Sequence, residues 1–154
     1  MTRTFQGSNQ GDGLHVGIAA ALWNQAIVDR LLEGALGRLE KAGVDEVTVI
    51  RVAGALELPL AAKKLAEQGC DAVVALGAVV KGETDHYEIV VKESARGIGM
   101  VALDTGVPVA NGILAVHDYS HAVERAGAGE SNKGVEAVEA ALSTANALRD
   151  LESS

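Results

Sequence analysis

The feature of this sequence that most limits its fold is an alternation between short apolar runs and longer segments with helical spacing. The apolar runs lack a clean two-residue alternation, which is typical of strands covered on both faces of a sheet. Strands that alternate with helices predict a parallel sheet with helices on both sides. The four predicted strands are LHVGIAAAL (14–22), EVTVIRVAG (46–54), DAVVALGAVV (71–80) and VPVANGILAV (107–116).

The segments between and after these runs predict helices. Asn24 stands where a capping residue of the first helix is expected, and Pro59 suits the first turn of the second helix. In the third helix, His86, Val90, Ala95 and Ile98 are predicted to share one face. The predicted helices cover residues 24–42, 59–68, 86–103 and 132–149.

The chain length fits one domain with a sizeable core, because 154 residues are enough to bury an extended apolar surface. Only 3% of the residues are aromatic, so the core must consist of Ala, Val, Leu and Ile. Residues 14–150 are predicted to form the α/β core and residues 1–13 an N-terminal arm. Within that arm, TFQG (4–7) is an alternative edge strand.

The net charge of −8 argues against a nucleic-acid-binding protein, which would need a basic surface. The single cysteine, Cys70, cannot form a disulfide within the chain and is predicted to pack between a helix and a strand. A reducing, cytoplasmic location is therefore expected. The sequence shows no signal peptide and no apolar run of transmembrane length, so no membrane partner is expected.

The loop KGETDH (81–86) follows the third predicted strand, and small molecules bind open parallel sheets beyond the carboxyl ends of their strands. This loop offers backbone N–H groups at the start of a helix, an arrangement that favours an anion. Thr84 adds a hydroxyl donor. The alternative is an ordinary helix start, in which Thr84 or Asp85 caps the helix and His86 is a surface residue.

Other motifs give weaker signals. His117 and His121 have a four-residue spacing that suits a metal, but no third ligand is evident nearby, so no metal site is predicted. GAGESNKG (127–134) resembles a phosphate-binding loop but follows a helix and has Gly134 where Ser or Thr is needed. Without a GxGxxG after the first strand, no dinucleotide cofactor is predicted. Trp23 can stack on a flat ligand or close the end of the core.

Five segments, in order and with matching spacing, resemble the lumazine synthase family of riboflavin biosynthesis, and together they span most of the chain. The first resembles the family pattern Gly-Ala-aromatic-Glu-Ile/Leu-Pro, with Leu56 at the aromatic position. The second is similar to the family's Arg/Lys-Gly-x-Thr-x-His-Phe/Tyr-Glu/Asp signature. The five segments are GALELP (54–59), GAVVKGETDHYE (77–88), GVPVANGIL (106–114), HAVERAG (121–127) and NKGVEA (132–137).

The resemblance implies a flavodoxin-like, three-layer α/β/α sandwich that assembles into a pentamer, and in some members into an icosahedral capsid of pentamers. The implied reaction condenses 5-amino-6-ribitylaminouracil with 3,4-dihydroxy-2-butanone 4-phosphate. The products are 6,7-dimethyl-8-ribityllumazine, phosphate and water, and the family uses neither a metal nor a redox cofactor. An amine and an activated ketone need mainly positioning and proton transfer, which side chains supply.

The resemblance also assigns roles to residues. It implies that His86 transfers protons during Schiff-base formation and phosphate loss, since imidazole titrates near neutral pH. It implies a phosphate site made of Gly82, Glu83 and Thr84, with the guanidinium of Arg125 as a clamp. Arg125 would come from the adjacent subunit of the ring.

The implied pocket for the pyrimidine ring and the ribityl chain lies beside that phosphate site. Trp23 would stack on the ring, and Glu57 would accept hydrogen bonds from ribityl hydroxyls. Val79, Val80 and Lys81 would meet the ring through main-chain groups. The implied substrate-binding residues are Trp23, Asn24, Ala55, Leu56, Glu57, Val79, Val80 and Lys81, with Asn111 and Lys133 from the next subunit.

Several positions differ from the residues that are usual in the family. Lys81 replaces an arginine, and Glu83 places a carboxylate in the phosphate turn. Leu56 and Asn111 stand where aromatic residues are common, and the family pattern does not explain His117. These differences leave an alternative function open, that of a non-catalytic flavin- or lumazine-binding protein or a shell-forming protein of the same fold.

Overall fold

The four predicted strands pair into one fully parallel sheet in the order β2-β1-β3-β4. The structure is a computed structural model that describes residues 1–154. Each strand begins and ends within two residues of its predicted bounds. The strands are β1 (His15–Ala21), β2 (Glu46–Val52), β3 (Ala72–Val80) and β4 (Val109–Val116).

Five α-helices connect and follow the strands, and a single 3-10 turn, Ala55–Glu57, precedes the second helix. Four of the helices confirm the predicted ones. The short helix α4 is the helix expected before GAGESNKG, and no bounds were predicted for it because its seven residues are too few to show a helical repeat. The helices are α1 (Gln25–Ala42), α2 (Leu58–Glu67), α3 (His86–Thr105), α4 (Tyr119–Arg125) and α5 (Lys133–Glu152).

Side-chain alternation along the central strand β1 separates the core into two layers. Val16, Ile18 and Ala20 belong to a cluster with buried residues of α1, α4 and α5. Ala19 and Ala21 belong to a second cluster with buried residues of α2 and α3. Because consecutive residues of a strand point to opposite faces, helices cover both sides of the sheet. The predicted three-layer α/β/α sandwich is therefore confirmed.

The predicted coverage of both faces is wrong for β2. Its residues are largely exposed, with Val49 at 40% and Ile50 at 37%. Strand β2 is an edge strand that pairs only with β1, so fewer elements are placed to cover it. In α3, the buried face is formed by Val90, Ser94, Ile98 and Val101, whereas His86 and Ala95, predicted to share a face with Val90 and Ile98, are exposed. The hydroxyl of Ser94 donates to the carbonyl of Val91 at 3.2 Å, which removes the cost of burying it.

Residues 1–13 contain no strand in the single chain, so TFQG is not an edge strand there. The segment runs along α5 as an arm. The side-chain amide of Asn146 donates to the carbonyls of Ser8 and Gln10 at 2.9 and 2.8 Å. These bonds satisfy backbone groups that a strand would have paired with a neighbouring strand. No helix of the protein combines the length and apolar character that crossing a bilayer requires.

Cys70 is a packing residue, as predicted. It is 3% exposed, and burial, followed by the charges of Asp71 and Glu46, raises the pKa of its thiol. The imidazole of His15 lies 3.7 Å from its sulfur and 2.8 Å from the hydroxyl of Thr48. This cluster lies at the amino-terminal ends of the strands, opposite the edge where ligands bind parallel sheets.

Asn132 holds α5 against α1 and against the loop that follows α4. Its side-chain oxygen accepts from the N–H groups of Gly134 and Val135, so it caps α5. Its side-chain nitrogen donates to the carbonyls of Arg30 and Gly127 at 3.3 and 2.9 Å. With 2% exposure, the amide has no water to replace these partners.

We expect Asn132→Ala to lower the free energy of unfolding by about 2–3 kcal/mol, because α5 loses its cap and two carbonyls lose their donor. Urea unfolding at one fixed protein concentration measures this loss. Asn146→Ala is the matched control, since it removes an amide that bonds only the exposed arm, and should cost less than about 1 kcal/mol. Equal losses in the two variants would contradict the role given to Asn132.

Candidate active site

The candidate site begins where β3 extends beyond β1. Strand β3 pairs with β1 only as far as Leu76, but it pairs with β4 as far as Val80. Backbone groups of alternate residues point to opposite neighbours, and Lys81 N–H donates to Val116 O on the β4 side at 2.9 Å. The N–H and C=O of Val80 therefore point to the side that β1 has left, where no strand meets them. This short open edge can accept a ligand with donors and acceptors in a plane.

Strand β1 stops here because Asn24 turns the chain away. Asn24 has φ 60° and ψ 43°, and it is the only non-glycine residue with positive φ. Asparagine tolerates this left-handed conformation better than most residues. Asn24 occupies the N-cap position of α1, as predicted, but its side chain makes no cap bond: the amide instead donates to the carbonyl of Ala78 at 2.7 Å. One residue thus ends β1, starts α1 and ties both to β3.

Trp23 stands beside this open edge and is 66% exposed. Its N–H donates to Ala53 O at 2.9 Å, so its backbone is fixed by the end of β2. Gly54 leaves room for the indole, because a β-carbon at that position would lie 2.5 Å from Trp23 Cε3. The ring is held at its base and open to solvent, which suits stacking on a flat ligand.

Glu57 is oriented by the turn that carries it. Its Oε1 accepts from Gly54 N–H at 2.8 Å, while its own N–H donates to Gly54 O at 3.2 Å. The side chain is exposed, so the second carboxylate oxygen stays available to accept a hydrogen bond.

These groups line one cavity of about 310 Å³, here called the Trp23 cavity. Most of its lining is apolar, and its polar side chains are those of Asn24, Glu57 and His86. The apolar floor with a few fixed polar groups is typical of small-molecule sites. The lining residues are Ala21, Trp23, Asn24, Gly54, Ala55, Leu56, Glu57, Ala78, Val79, Val80, His86 and Val90.

The turn from Lys81 to Asp85 leads from this cavity into α3. The N–H groups of Gly82, Glu83, Thr84 and Asp85 donate to no group of the chain, and all four residues are exposed. Consecutive free N–H groups at the start of a 20-residue helix make a favourable anion site. His86 is the first residue of that helix.

The capping alternative for this turn is met only in part. Asp85 occupies the N-cap position but makes no side-chain cap bond. The Thr84 hydroxyl accepts from His86 N–H at a long 3.4 Å, and its own hydrogen remains free to be donated. The turn is therefore open to a ligand rather than closed on itself.

Arg125 and Lys133 lie elsewhere, in a second cavity of about 930 Å³, here called the Arg125 cavity. It opens between the end of β4, α4 and the start of α5. The Lys133 ammonium pairs with Glu136 at 3.2 Å, whereas the Arg125 guanidinium donates only to His121 O at 3.3 Å. The lining residues are Tyr87, Ile113, Leu114, Ala115, Val116, His117, His121, Glu124, Arg125, Ser131, Lys133 and Glu136.

The single chain thus divides the residues singled out by the sequence into two groups. Eight of them line the Trp23 cavity, while Arg125 and Lys133 line the Arg125 cavity, and the two cavities share no residue. Lys81 and the Gly82–Thr84 turn line neither cavity, although they connect Val80 to His86. Asn111 also lies outside both, where its side chain accepts from Ile113 N–H at 2.8 Å on the outer strand β4.

Sequence reasoning missed several lining residues. Gly54 and Ala78 are small residues whose role depends on what packs against them, which a sequence pattern does not show. The contact between Tyr87 and His117 is also new: their rings meet edge to face, with centroids 5.6 Å apart. The four-residue spacing of His117 and His121 was a usable signal, although no three metal-binding side chains gather there or elsewhere in the chain.

Comparison with known proteins agrees with this architecture. Residues 13–149 match the family model described as 6,7-dimethyl-8-ribityllumazine synthase. The 6,7-dimethyl-8-ribityllumazine synthase of Thermococcus gammatolerans is 48% identical over 151 residues, which are 97% of each chain. The synthase of the same name from Kineococcus radiotolerans is 49% identical over 141 residues, 90% of this chain and 88% of its own.

A third relative is less similar in sequence but also matches over nearly its full length. The Pyrococcus furiosus 6,7-dimethyl-8-ribityllumazine synthase is 40% identical over 149 residues, 97% of this chain and 94% of its own. Similarity over nearly the full length includes both cavities and the turn between β3 and α3. The chain therefore belongs to the 6,7-dimethyl-8-ribityllumazine synthase family.

Proposed function

We propose that this protein condenses 5-amino-6-ribitylaminouracil with 3,4-dihydroxy-2-butanone 4-phosphate to give 6,7-dimethyl-8-ribityllumazine, phosphate and water. The observation that carries the proposal is the continuity of the open Val80 edge, the free N–H turn and His86. Ring recognition, phosphate binding and proton transfer then follow one another along a single stretch of chain. The family membership and the names of the relatives support the same reaction.

In this proposal the pyrimidine ring lies against the open edge of β3. The Val80 backbone groups pair with the ring's own amide groups, and Trp23 stacks on its face. The free oxygen of Glu57 accepts from ribityl hydroxyls. Leu56 adds apolar contact where an aromatic residue is usual.

The phosphate ester of the second substrate lies at the turn of residues 82–84. Backbone N–H groups and the Thr84 hydroxyl donate to its oxygens, and the positive end of the α3 dipole adds attraction. The Glu83 side chain points into solvent while its N–H serves the anion. His86, at the junction of the two subsites, takes the proton released when the amine attacks the ketone and returns protons as water and phosphate leave.

Arg125 and Lys133 complete the site from an adjacent subunit. The separation of the two cavities in one chain supports this, since the Arg125 cavity shares no lining residue with the Trp23 cavity. A closed ring of identical subunits brings one face of each chain to the other face of its neighbour. We propose a pentamer as this ring, with Asn111 at the same junction, and an icosahedral capsid of pentamers as its larger form.

The cytoplasm is the proposed compartment, on the basis of the single buried thiol. Catalysis is favoured over a purely ligand-binding or shell-forming role. The observation that favours it is His86, an exposed imidazole that lines the Trp23 cavity at the end of the anion-binding turn. A binding protein needs the stacking ring and the turn, but it does not need a proton-transfer group between them.

Mixing the purified protein with both substrates should produce the fluorescent lumazine. His86→Gln is expected to lower kcat by about ten- to a thousandfold, because positioning remains while proton transfer is lost. His15→Gln is the matched control, since it removes an imidazole at the opposite end of the sheet, and should leave kcat within about twofold. A wild-type protein that binds the product but never forms it would establish the non-catalytic alternative.

The fluorescence of Trp23 should report directly on binding of the ligand's aromatic ring. Binding of the lumazine product is expected to quench its emission, which is the only tryptophan emission of the chain. Trp23→Ala should weaken product binding by about fivefold, or ~1 kcal/mol, whereas Trp23→Phe should keep most of the affinity because it preserves a stacking face. Unchanged emission at saturating product would place the indole outside the site.

Subunit sharing can be tested by mixing two inactive proteins. His86→Gln and Arg125→Ala are each expected to be nearly inactive alone. After unfolding and refolding together at equal amounts, about a quarter of the junctions should join an intact His86 to an intact Arg125 by random assembly around a closed ring. Activity should rise towards that fraction of wild type. If rings shown to be mixed have only the average activity of the two parents, the site lies within one chain.

A further inference from the structure

Arg51 does not line the Trp23 cavity, yet it is bonded to both ends of the segment that carries the stacking ring. It lies on β2 beside Ala20, its register partner on β1. One nitrogen of its guanidinium, Nη2, donates to the carbonyl of Ala21 at 3.1 Å and to the carboxylate of Asp29 at 3.1 Å. Ala21 is the last residue of β1, and Asp29 belongs to α1. A single side chain therefore connects the end of β1 to the beginning of α1.

The segment between these two anchors is not held by core packing. All residues from 22 to 26 are exposed. Hydrogen bonds hold the segment instead: the N–H groups of Leu22 and Trp23 donate to the end of β2, and the amide of Asn24 donates to β3. An exposed segment with few apolar contacts opens locally more easily than the core does. The orientation of the Trp23 ring therefore depends on polar bonds, and those of Arg51 lie at both ends of the segment.

Stability alone gives little reason for an arginine at this position. The Nε of Arg51 is buried and donates to no group of the chain. A buried donor without an acceptor costs folding free energy, and an apolar side chain of similar length would avoid that cost. The side chains of Arg51 and Asp29 are 27% and 49% exposed, and ion pairs that solvent reaches contribute little to stability. The bonds of Nη2 are better explained by what they position.

We propose that Arg51 is a positioning residue for the pyrimidine subsite, which fixes Trp23 in its stacking orientation before the ligand arrives. The inference rests on the proposed function for the identity of the flat ligand. Because one nitrogen holds both Ala21 O and Asp29, the end of β1 and the start of α1 stay at a constant separation. The ring between them is then ordered before binding, and affinity rises because that ordering entropy is not lost when the ligand binds.

The groups that act on the second substrate belong to other elements. His86 and the turn of residues 82–84 lie between β3 and α3, and Arg51 bonds neither of these two elements. Arg51 should therefore affect the affinity for the ring much more than the affinity for the phosphate or the chemical step. A general loss of stability would instead change all three.

Arg51→Met tests the proposal, because it keeps a long apolar side chain and removes both hydrogen bonds. We expect the Kd of the lumazine product, measured by calorimetry, to rise about three- to tenfold, the cost of ordering one large side chain at binding. The KM for 5-amino-6-ribitylaminouracil should rise by a similar factor. The KM for the butanone phosphate and kcat should stay within about twofold of wild type.

Arg38→Met is the matched control. Arg38 of α1 also bonds a carboxylate, that of Glu139 of α5 at 3.3 Å, and its side chain is likewise mostly buried. It connects two helices and bonds neither end of the segment that carries Trp23. Its removal should leave the product affinity at the wild-type value, and circular dichroism confirms that both variants are folded.

The indole gives a second readout that does not need the reaction. Trp23 is the only tryptophan, so time-resolved anisotropy of the unliganded protein measures how freely this one ring moves on the nanosecond timescale. The amplitude of that motion should rise about twofold in Arg51→Met and stay at the wild-type value in Arg38→Met. A structural role confined to the core would not change it.

A double-mutant cycle shows whether Arg51 acts through Trp23. In a Trp23→Ala background, Arg51→Met should weaken product binding by less than about twofold, since the ring that Arg51 positions is absent. Losses that simply add would mean that Arg51 affects affinity by another route, and they would overturn the proposal.

Asp29→Ala is the second variant and decides the matter if Arg51→Met does not fold. Asp29 is exposed, so its replacement is tolerated, and only the α1 end of the connection is lost. Product binding should weaken about threefold, with a smaller increase in indole motion. Wild-type affinity together with wild-type indole motion in this variant would contradict the role given to Arg51.

The inference and the proposed function fail in different ways. If the wild-type enzyme forms the lumazine but Arg51→Met leaves both product affinity and indole motion unchanged, the role of Arg51 is wrong and the reaction stands. If the variants change affinity and motion as expected but the wild-type protein forms no lumazine from the two substrates, the positioning role stands and the reaction is wrong.

Discussion

Strand β3 is paired on one side for four residues longer than on the other, and the arrangement of the site depends on this unequal pairing. In a parallel sheet, the backbone groups of an interior strand normally form hydrogen bonds with neighbouring strands on both sides. Here β1 ends early, and the Val80 groups are left facing a cavity instead of a neighbour. An unpaired backbone edge is costly when it is buried, so it must stay accessible to water or to a ligand. The cavity beside Trp23 is where that requirement is met.

The anion site also relies on backbone groups that no other part of the chain uses. An acidic chain with a net charge of −8 has little basic surface to spare for a phosphate. Neutral N–H groups at a helix start attract an anion without adding a cation, and their dipoles are fixed before the ligand arrives. This explains how an exposed carboxylate at Glu83 is tolerated within the turn: the donors belong to the backbone, and the side chain is free to turn away.

Much of the fold was predictable from the sequence, because the four apolar runs and the four longer helical segments have clear periods. Three features were not predictable. The exposure of β2 depends on strand order, which no local pattern encodes. The burial of Ser94 depends on a hydrogen bond to Val91 that satisfies its hydroxyl. The early end of β1 depends on the left-handed conformation of Asn24, whose sequence position suggested an ordinary cap.

The candidate site was likewise predictable only in part. The resemblance to the family gathered the residues of the Trp23 cavity, and the structure places eight of them around one space. It assigned Arg125 and Lys133 to the next subunit, but it could not show the cavity that they line in the single chain, since that cavity depends on where α4 and α5 pack. It also could not interpret His117 and His121, because their meaning comes from side chains on other elements.

The geometry at Asn24 has a consequence for redesigning this protein to bind other flat ligands. Glycine would accept the backbone angles but would lose the bond to the Ala78 carbonyl, and alanine would lose that bond and resist the angles as well. Aspartate would tolerate the angles but place a negative charge against a carbonyl oxygen. Few residues other than asparagine meet both demands, so a library that varies the pocket should leave position 24 fixed and spend its diversity at Leu56 and Val90.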